Sequence, residues 1–193
     1  KLLTENELIK FRRELHSYPE TGWCEFVTTH KIVEKLRSFG LDPIYGRQVI
    51  NPEFVAGRNP AKVEEAKKAA LEKGVPPEFI ESMQDYTGVA AIFETGRPGP
   101  VLAIRFDMDC VDVDEAHEAG HRPFDEGWAS TNPGHMHSCG HDGHATMGIA
   151  VCNWIQENLD QFCGTIKVVF QPAEEGVRGA RPMTETGIFD DVD

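Results

Sequence analysis

The chain has 193 residues, of which 40% are hydrophobic and 26% charged, the balance of a globular protein with room for one real core. A net charge of −13 excludes the basic stripe that nucleic-acid binding needs, and it gives no pull toward anionic membranes. Five scattered cysteines without a CxxC pair make a poor disulfide framework, and no apolar run approaches ~20 residues, so a cytoplasmic protein without a membrane span is expected.

Thr4-Glu5-Asn6-Glu7 reads as a capping box, followed by Leu8, Phe11 and Leu15 at helical spacing and a stop ahead of Pro19. A second helix is expected from about Cys24 to Phe39, with Gly40 as its stop. His16 and His30 lie on these helices without neighbouring donors and read as partly buried or surface histidines, not as ligands. Between 46 and 86 the texture turns polar. Asn59-Pro60 opens a Lys/Glu/Ala-rich helix closed by Gly74, and Pro76-Pro77 opens a shorter one; the segment reads as a solvated insertion. Gly88–Glu94 and Val101–Phe106 read as strands joined by Thr95–Pro100, and the pair is expected to form a hairpin. Residues 116–133 look like a loop. Ala145–Leu159 reads as a buried helix and Thr165–Phe170 as a third strand. This alternation predicts an α/β sandwich with its motifs at strand ends.

Three segments compete for one site. Asp107 and Asp109 follow the second strand, and Glu174 and Glu175 follow the third. Between them, residues 135–144 hold four of the eight histidines, together with Cys139 and Asp142. Imidazole, thiolate and carboxylate are the donors of transition-metal sites. Taken alone, alternation of His135, His137, Cys139 and His141 would line four donors along one side of an extended segment. Adjacent glutamates repel unless a cation relieves them, and one can then ligate while the other serves as a base. A serine hydrolase is disfavoured, because no Gly-x-Ser-x-Gly elbow is present. A nucleophilic Cys139 would not need this many histidines.

His137-Ser138-Cys139-Gly140-His141-Asp142-Gly143-His144, Asp107-Met108-Asp109 and Gln171–Gly176 resemble the three motifs of the M20 metallopeptidase family. The branch is that of hippurate hydrolases and auxin-conjugate amidohydrolases. Thr95–Pro100, His121–Phe124 and the 46–86 segment narrow the likeness to members acting on p-aminobenzoyl-glutamate. The resemblance implies a zinc-peptidase-like α/β/α catalytic domain, with residues 1–193 as its N-terminal portion and 46–86 as an insertion. It implies two divalent metal ions, Mn²⁺ or Zn²⁺, with Cys139 bridging and His141 and Glu175 as further ligands. Glu174 would be the general base and Asp109 would orient a ligand. His137 and His144 would support the ligands or meet substrate, and Asp107 stands where other branches carry a ligating histidine.

The expected activity is amide hydrolysis of N-acyl amino acids, p-aminobenzoyl-glutamate foremost, in a homodimer or a hetero-oligomer with a related chain. Alternatives are a broader hippurate-type amidohydrolase and a non-catalytic partner subunit. Arg178 and Arg181 read as solvated or paired with nearby acids. Family members continue for about as long again, with more histidine ligands and a lid or dimerisation domain. Three ligands cannot fill two metal sites, so a piece of this length is expected to bind metal poorly and to be inactive.

Overall fold

The computed structural model describes residues 1–193. Helix α1 (Glu5–Ser17) starts with the capping box, the Thr4 amide donating to Glu7 Oε2 at 2.8 Å and the Glu7 amide to Thr4 Oγ1 at 3.3 Å. Helix α2 (Phe26–Arg37) buries Ile32, Val33 and Leu36 and stops short of Gly40, whose φ is +83°. Strand β1 (Ile44–Tyr45) follows, then two single 3₁₀ turns, α3 (Pro60–Glu72) and α4 (Pro77–Ser82).

The 46–86 segment is solvated on one side only. Val49, Ile50, Val63, Ala70, Val75, Phe79 and Met83 are all buried in the one hydrophobic core. The sequence hid this because the inward stripe of α3 is narrow and made of Val63, Ala66 and Ala70 amid lysine and glutamate.

Strands β2 (Val89–Glu94), β3 (Val101–Asp107) and β4 (Thr165–Gln171) complete a four-stranded sheet of order β1-β2-β4-β3. The expected hairpin does not form. Strand β4 lies between β2 and β3, antiparallel to the first and parallel to the second. Residues Ile166–Gln171 are buried along their whole length, so an interior place removes both faces from water where an edge would leave hydrogen-bonding groups open. The 95–100 connection spans the gap by wrapping the start of β4. The Thr95 amide donates to Gly164 O, the Gly164 amide to Arg97 O at 2.8 Å, and the Thr165 amide to Pro100 O at 3.0 Å. Gly164 sits at φ +73°, and a Cβ there would fall 1.9 Å from Pro100 O, so only glycine fits this crossing.

Helix α6 (His141–Glu157) packs across β2, β3 and β4, flanked by α1 and α2. It begins four residues before the expected start, because Gly140, in the left-handed region, lets the chain turn directly into the helix at His141. A short α5 (Arg122–Asp125) interrupts the 116–133 loop, and α7 (Ala180–Thr184) follows β4. No helix is long and apolar enough to cross a membrane.

Candidate metal centre

The parallel β3/β4 pair aligns Asp107 with Gln171, so both strands discharge their loops at one edge of the sheet. Asp109 leaves from one strand, Glu174 and Glu175 from the other, and α6 opens there with His141. The His141 ring is buried among these acids. Its Nδ1 lies 2.8 Å from the Asp109 carbonyl oxygen and 3.2 Å from Asp109 Oδ1. Nδ1 therefore donates to Asp109, which leaves Nε2 as the lone-pair donor. That nitrogen faces Asp107 Oδ2 at 3.5 Å, Glu174 Oε2 at 3.7 Å and Glu175 Oε1 at 3.7 Å.

Donor atoms of His141, Glu174 and Glu175 lie within 4.8 Å of one another, as do those of Asp107, His141 and His144. His144 Nδ1 is 2.6 Å from Asp107 Oδ1. Four carboxylates around one imidazole make a site that favours positive charge. Burial opposes protonation of His141, but the Asp109 hydrogen bond and the charges of Asp107 and Asp109 outweigh it and push the imidazolium up to about 9. A divalent cation satisfies the same field more fully than a proton, and imidazole with carboxylate is a zinc or manganese donor set.

Cys139 is exposed, and the neighbouring Glu175 carboxylate, with some burial and the charges of Glu174 and Asp109, pushes its thiol up to about 11. Without a cation beside it this side chain is a thiol, and the close donor groups do not include it.

The donors expected to line up from 135 to 141 diverge instead. His135 turns to Asp112, 3.0 Å away. His137 is buried with neither ring nitrogen partnered, and burial drives its imidazolium down to about 4. The physical reason is that this segment is a bent loop, paired with a strand-like neighbour only at the Val111–Met136 bridge, so period-2 alternation does not hold. Asp114 accepts from the Gly134 amide and stays outside the centre. Arg178 bonds backbone, Nε to Glu175 O and Nη1 to Gly57 O, each at 3.0 Å, while Arg181 lies 3.8 Å from Glu185.

Residues 103–193 match the model of peptidase family M20/M25/M40. The chain is 48% identical to a homolog, from Haemophilus influenzae, of one subunit of p-aminobenzoyl-glutamate hydrolase, over 97% of this chain and 45% of the relative. The crystal structure of an aminobenzoyl-glutamate utilization protein from Klebsiella pneumoniae superposes with a TM-score of 0.79 at 34% identity, over 97% of this chain and 42% of that one. A dinuclear metal-binding M20 peptidase from Bacillus subtilis gives a TM-score of 0.71 at 29% identity, over 97% and 41%. The chain thus spans less than half the length of each of these three proteins.

Sequence reasoning missed two buried acids beside this centre. Glu20 and Glu25 are both buried near the start of α2. Burial pushes Glu20 up to about 7, against the lowering pull of the Thr28 hydroxyl and amide. Burial and then the charge of Asp109 push Glu25 up to about 8. The only signal was a glutamate on either side of the apolar Trp23, which no periodicity marks as inward.

His16 lies outside the groups of close metal donors, as expected, but it is more deeply buried than its sequence context suggests. It bridges two buried acids, with Nδ1 2.9 Å from Asp142 Oδ2 and Nε2 2.9 Å from Glu115 Oε1. Glu115 also meets His121 Nε2 at 2.9 Å and the Ser130 amide. The network ties the 110–135 loop to α1 and to the start of α6.

Burial lowers His16, but its two carboxylate partners raise it above 6.5. Burial raises Glu115, but His16, His121 and the Ser130 amide bring it below 4.5. The His16 contribution is complete below 6.5 and is lost as pH rises through its raised folded value. The Glu115 contribution is complete above 4.5 and is lost as pH falls through its lowered value. Urea midpoints measured against pH should therefore show the network at full strength between 4.5 and 6.5. A His16→Leu variant should lose the alkaline limb of this dependence, and an unchanged limb would show that His16 is not its source.

Proposed function

We propose that the full-length protein containing this chain hydrolyses the amide bond of N-acyl amino acids, with p-aminobenzoyl-glutamate as the preferred substrate and p-aminobenzoate and glutamate as products. The observation that carries this is the convergence of His141, Asp107, Asp109, Glu174 and Glu175 at the ends of two parallel strands. The similarity to one subunit of p-aminobenzoyl-glutamate hydrolase supports the substrate.

In this reading His141, Glu175 and Cys139 hold part of a two-metal centre, filled by Mn²⁺ or Zn²⁺, and the remaining ligands come from outside these residues. The metals supply Lewis-acid polarisation of the scissile carbonyl and acidify the attacking water. Glu174 takes the proton of that water and returns it to the departing amine. Asp109 fixes both neighbours, holding His141 through Nδ1 and the Glu175 amide through Oδ2 at 3.1 Å. The assembly is proposed to be cytoplasmic, and either homodimeric or paired with a related chain, in keeping with a relative that is named as one subunit of its enzyme.

The test is release of p-aminobenzoate by the full-length protein, chelated and then restored with Mn²⁺ or Zn²⁺, with hippurate as the competing substrate. Hydrolysis should vanish on chelation and return with metal, and p-aminobenzoyl-glutamate should exceed hippurate in kcat/KM. Equal rates on both would replace this reading with a broad hippurate-type hydrolase. Hydrolysis indifferent to chelation would sink the metal mechanism.

A further inference from the structure

We propose that Glu25 is a positioning residue for Glu174, acting through the backbone of Ala173; the inference rests on the reading of Glu174 as the general base. Glu25 occupies the N-cap of α2 yet makes no side-chain cap bond there. Its carboxylate reaches instead to the end of β4. Oε1 accepts from the Ala173 amide at 2.8 Å, and Oε2 accepts from the Thr87 hydroxyl at 2.6 Å. The group is fully buried, in a place where an apolar side chain would cost far less to desolvate.

What it holds is an unusual residue. Ala173 is completely buried and sits at φ +49°, a region that side chains with a Cβ seldom adopt unless neighbours impose it. A buried hydrogen bond from its amide to a carboxyl oxygen of Glu25 is such an imposition. Two residues later the Glu175 amide donates to Asp109 Oδ2 at 3.1 Å. Oxygens of two buried carboxyl groups therefore grip amides 173 and 175, and the residue between them is Glu174. The far side is closed by the Arg178 and Gly179 amides, both donating to Ala173 O, and by Arg178 Nε on Glu175 O.

Glu174 itself meets no charged partner but His141, so its direction is set by this backbone and not by its own contacts. Gly22, next to the Glu25 turn, leaves room for the same approach, since a Cβ on it would come within 3.0 Å of Ala173 Cα.

The experiment compares Glu25→Ala and Glu25→Gln in the full-length protein by amide hydrogen exchange over residues 172–179, by bound metal and by steady-state kinetics on p-aminobenzoyl-glutamate. With Ala, exchange at 173–175 should speed up about tenfold as local opening becomes easier. In the same variant kcat should fall about 10²-fold with KM and metal content little changed, the cost of about 1 Å of misplacement at the base. Glutamine should restore both, because its amide oxygen can take the Ala173 N–H while its amide N–H donates to the Thr87 hydroxyl.

Unchanged exchange in Glu25→Ala overturns the proposal, as does a Gln variant no better than Ala, or metal lost in parallel with kcat. Should Glu25→Ala not fold, Thr87→Val frees one oxygen of the clamp and is expected to lower kcat about tenfold, with unchanged kcat and exchange overturning the proposal. A wild-type protein inactive on p-aminobenzoyl-glutamate defeats the substrate reading alone, since the exchange comparison still decides whether Glu25 holds the loop.

Discussion

Replacing Glu174 by glutamine should lower kcat about 10²–10⁴-fold while the full-length protein keeps its metal, the loss expected when a general base is removed. The two glutamates sit at the same 3.7 Å from His141 Nε2, so distance alone does not separate their roles. Their surroundings do. Glu175 has its amide pinned by Asp109, the fixed posture suited to a ligand. Glu174 carries no such ties and is the more exposed side chain, 37% against 29%, so its carboxylate is free to face a water. Glutamine keeps the size of Glu174 and removes its capacity to accept the proton. Kinetics with metal analysis on the same sample decide the matter: if metal and kcat fall together, Glu174 is a ligand and the roles must be exchanged.

The second large effect is on stability. His16→Leu should cost about 3–5 kcal/mol, because it strips the bridging partner from two acids that have no access to water. The Glu115 and Asp142 side chains are both 0% exposed. Arg12 Nε would still contact Asp142 at 2.7 Å, but Glu115 would retain only His121 among its cationic partners. Trp128 stacks edge-on to His16 at 5.1 Å and under the guanidinium of Arg13, so the packing loosens with the charge. Urea denaturation of the full-length protein measures this, and a loss below about 1 kcal/mol would place the pair among the weakly contributing exposed ones. Adding Glu115→Gln to His16→Leu should recover part of the loss, since the orphaned charge is then gone.

Much of this was legible along the chain. The capping box at Thr4 and the Asn59-Pro60 start are local signals, set within one helical turn, and the structure reproduces both. Asp107, Asp109, Glu174 and Glu175 were readable as one site because acids placed just after apolar strands have few structural uses. What escaped depends on partners distant in sequence. The place of β4 between β2 and β3 rests on burial of two faces, which a strand pattern read singly does not report. Glu20 and Glu25 carry no sign of burial in sequence, and only the fold shows them and His16 fully enclosed. The divergence of His135, His137 and Cys139 follows from loop conformation, which no spacing rule encodes.

The crossing of the 95–100 connection over β4 has a consequence for how the molecule is made. As the chain is synthesised, β2 and β3 are complete by residue 107, but the strand that belongs between them begins at 165. Until β4 arrives, two strands expose unpaired edges toward a slot that nothing fills, a condition that favours association with other chains. Insertion of β4 then closes the slot and delivers Glu174 and Glu175 to Asp109 in the same event. Acquisition of the metal-binding geometry is thereby tied to one late, non-local step, so a nascent chain halted before residue 165 has the histidines of the centre but no site in which to use them.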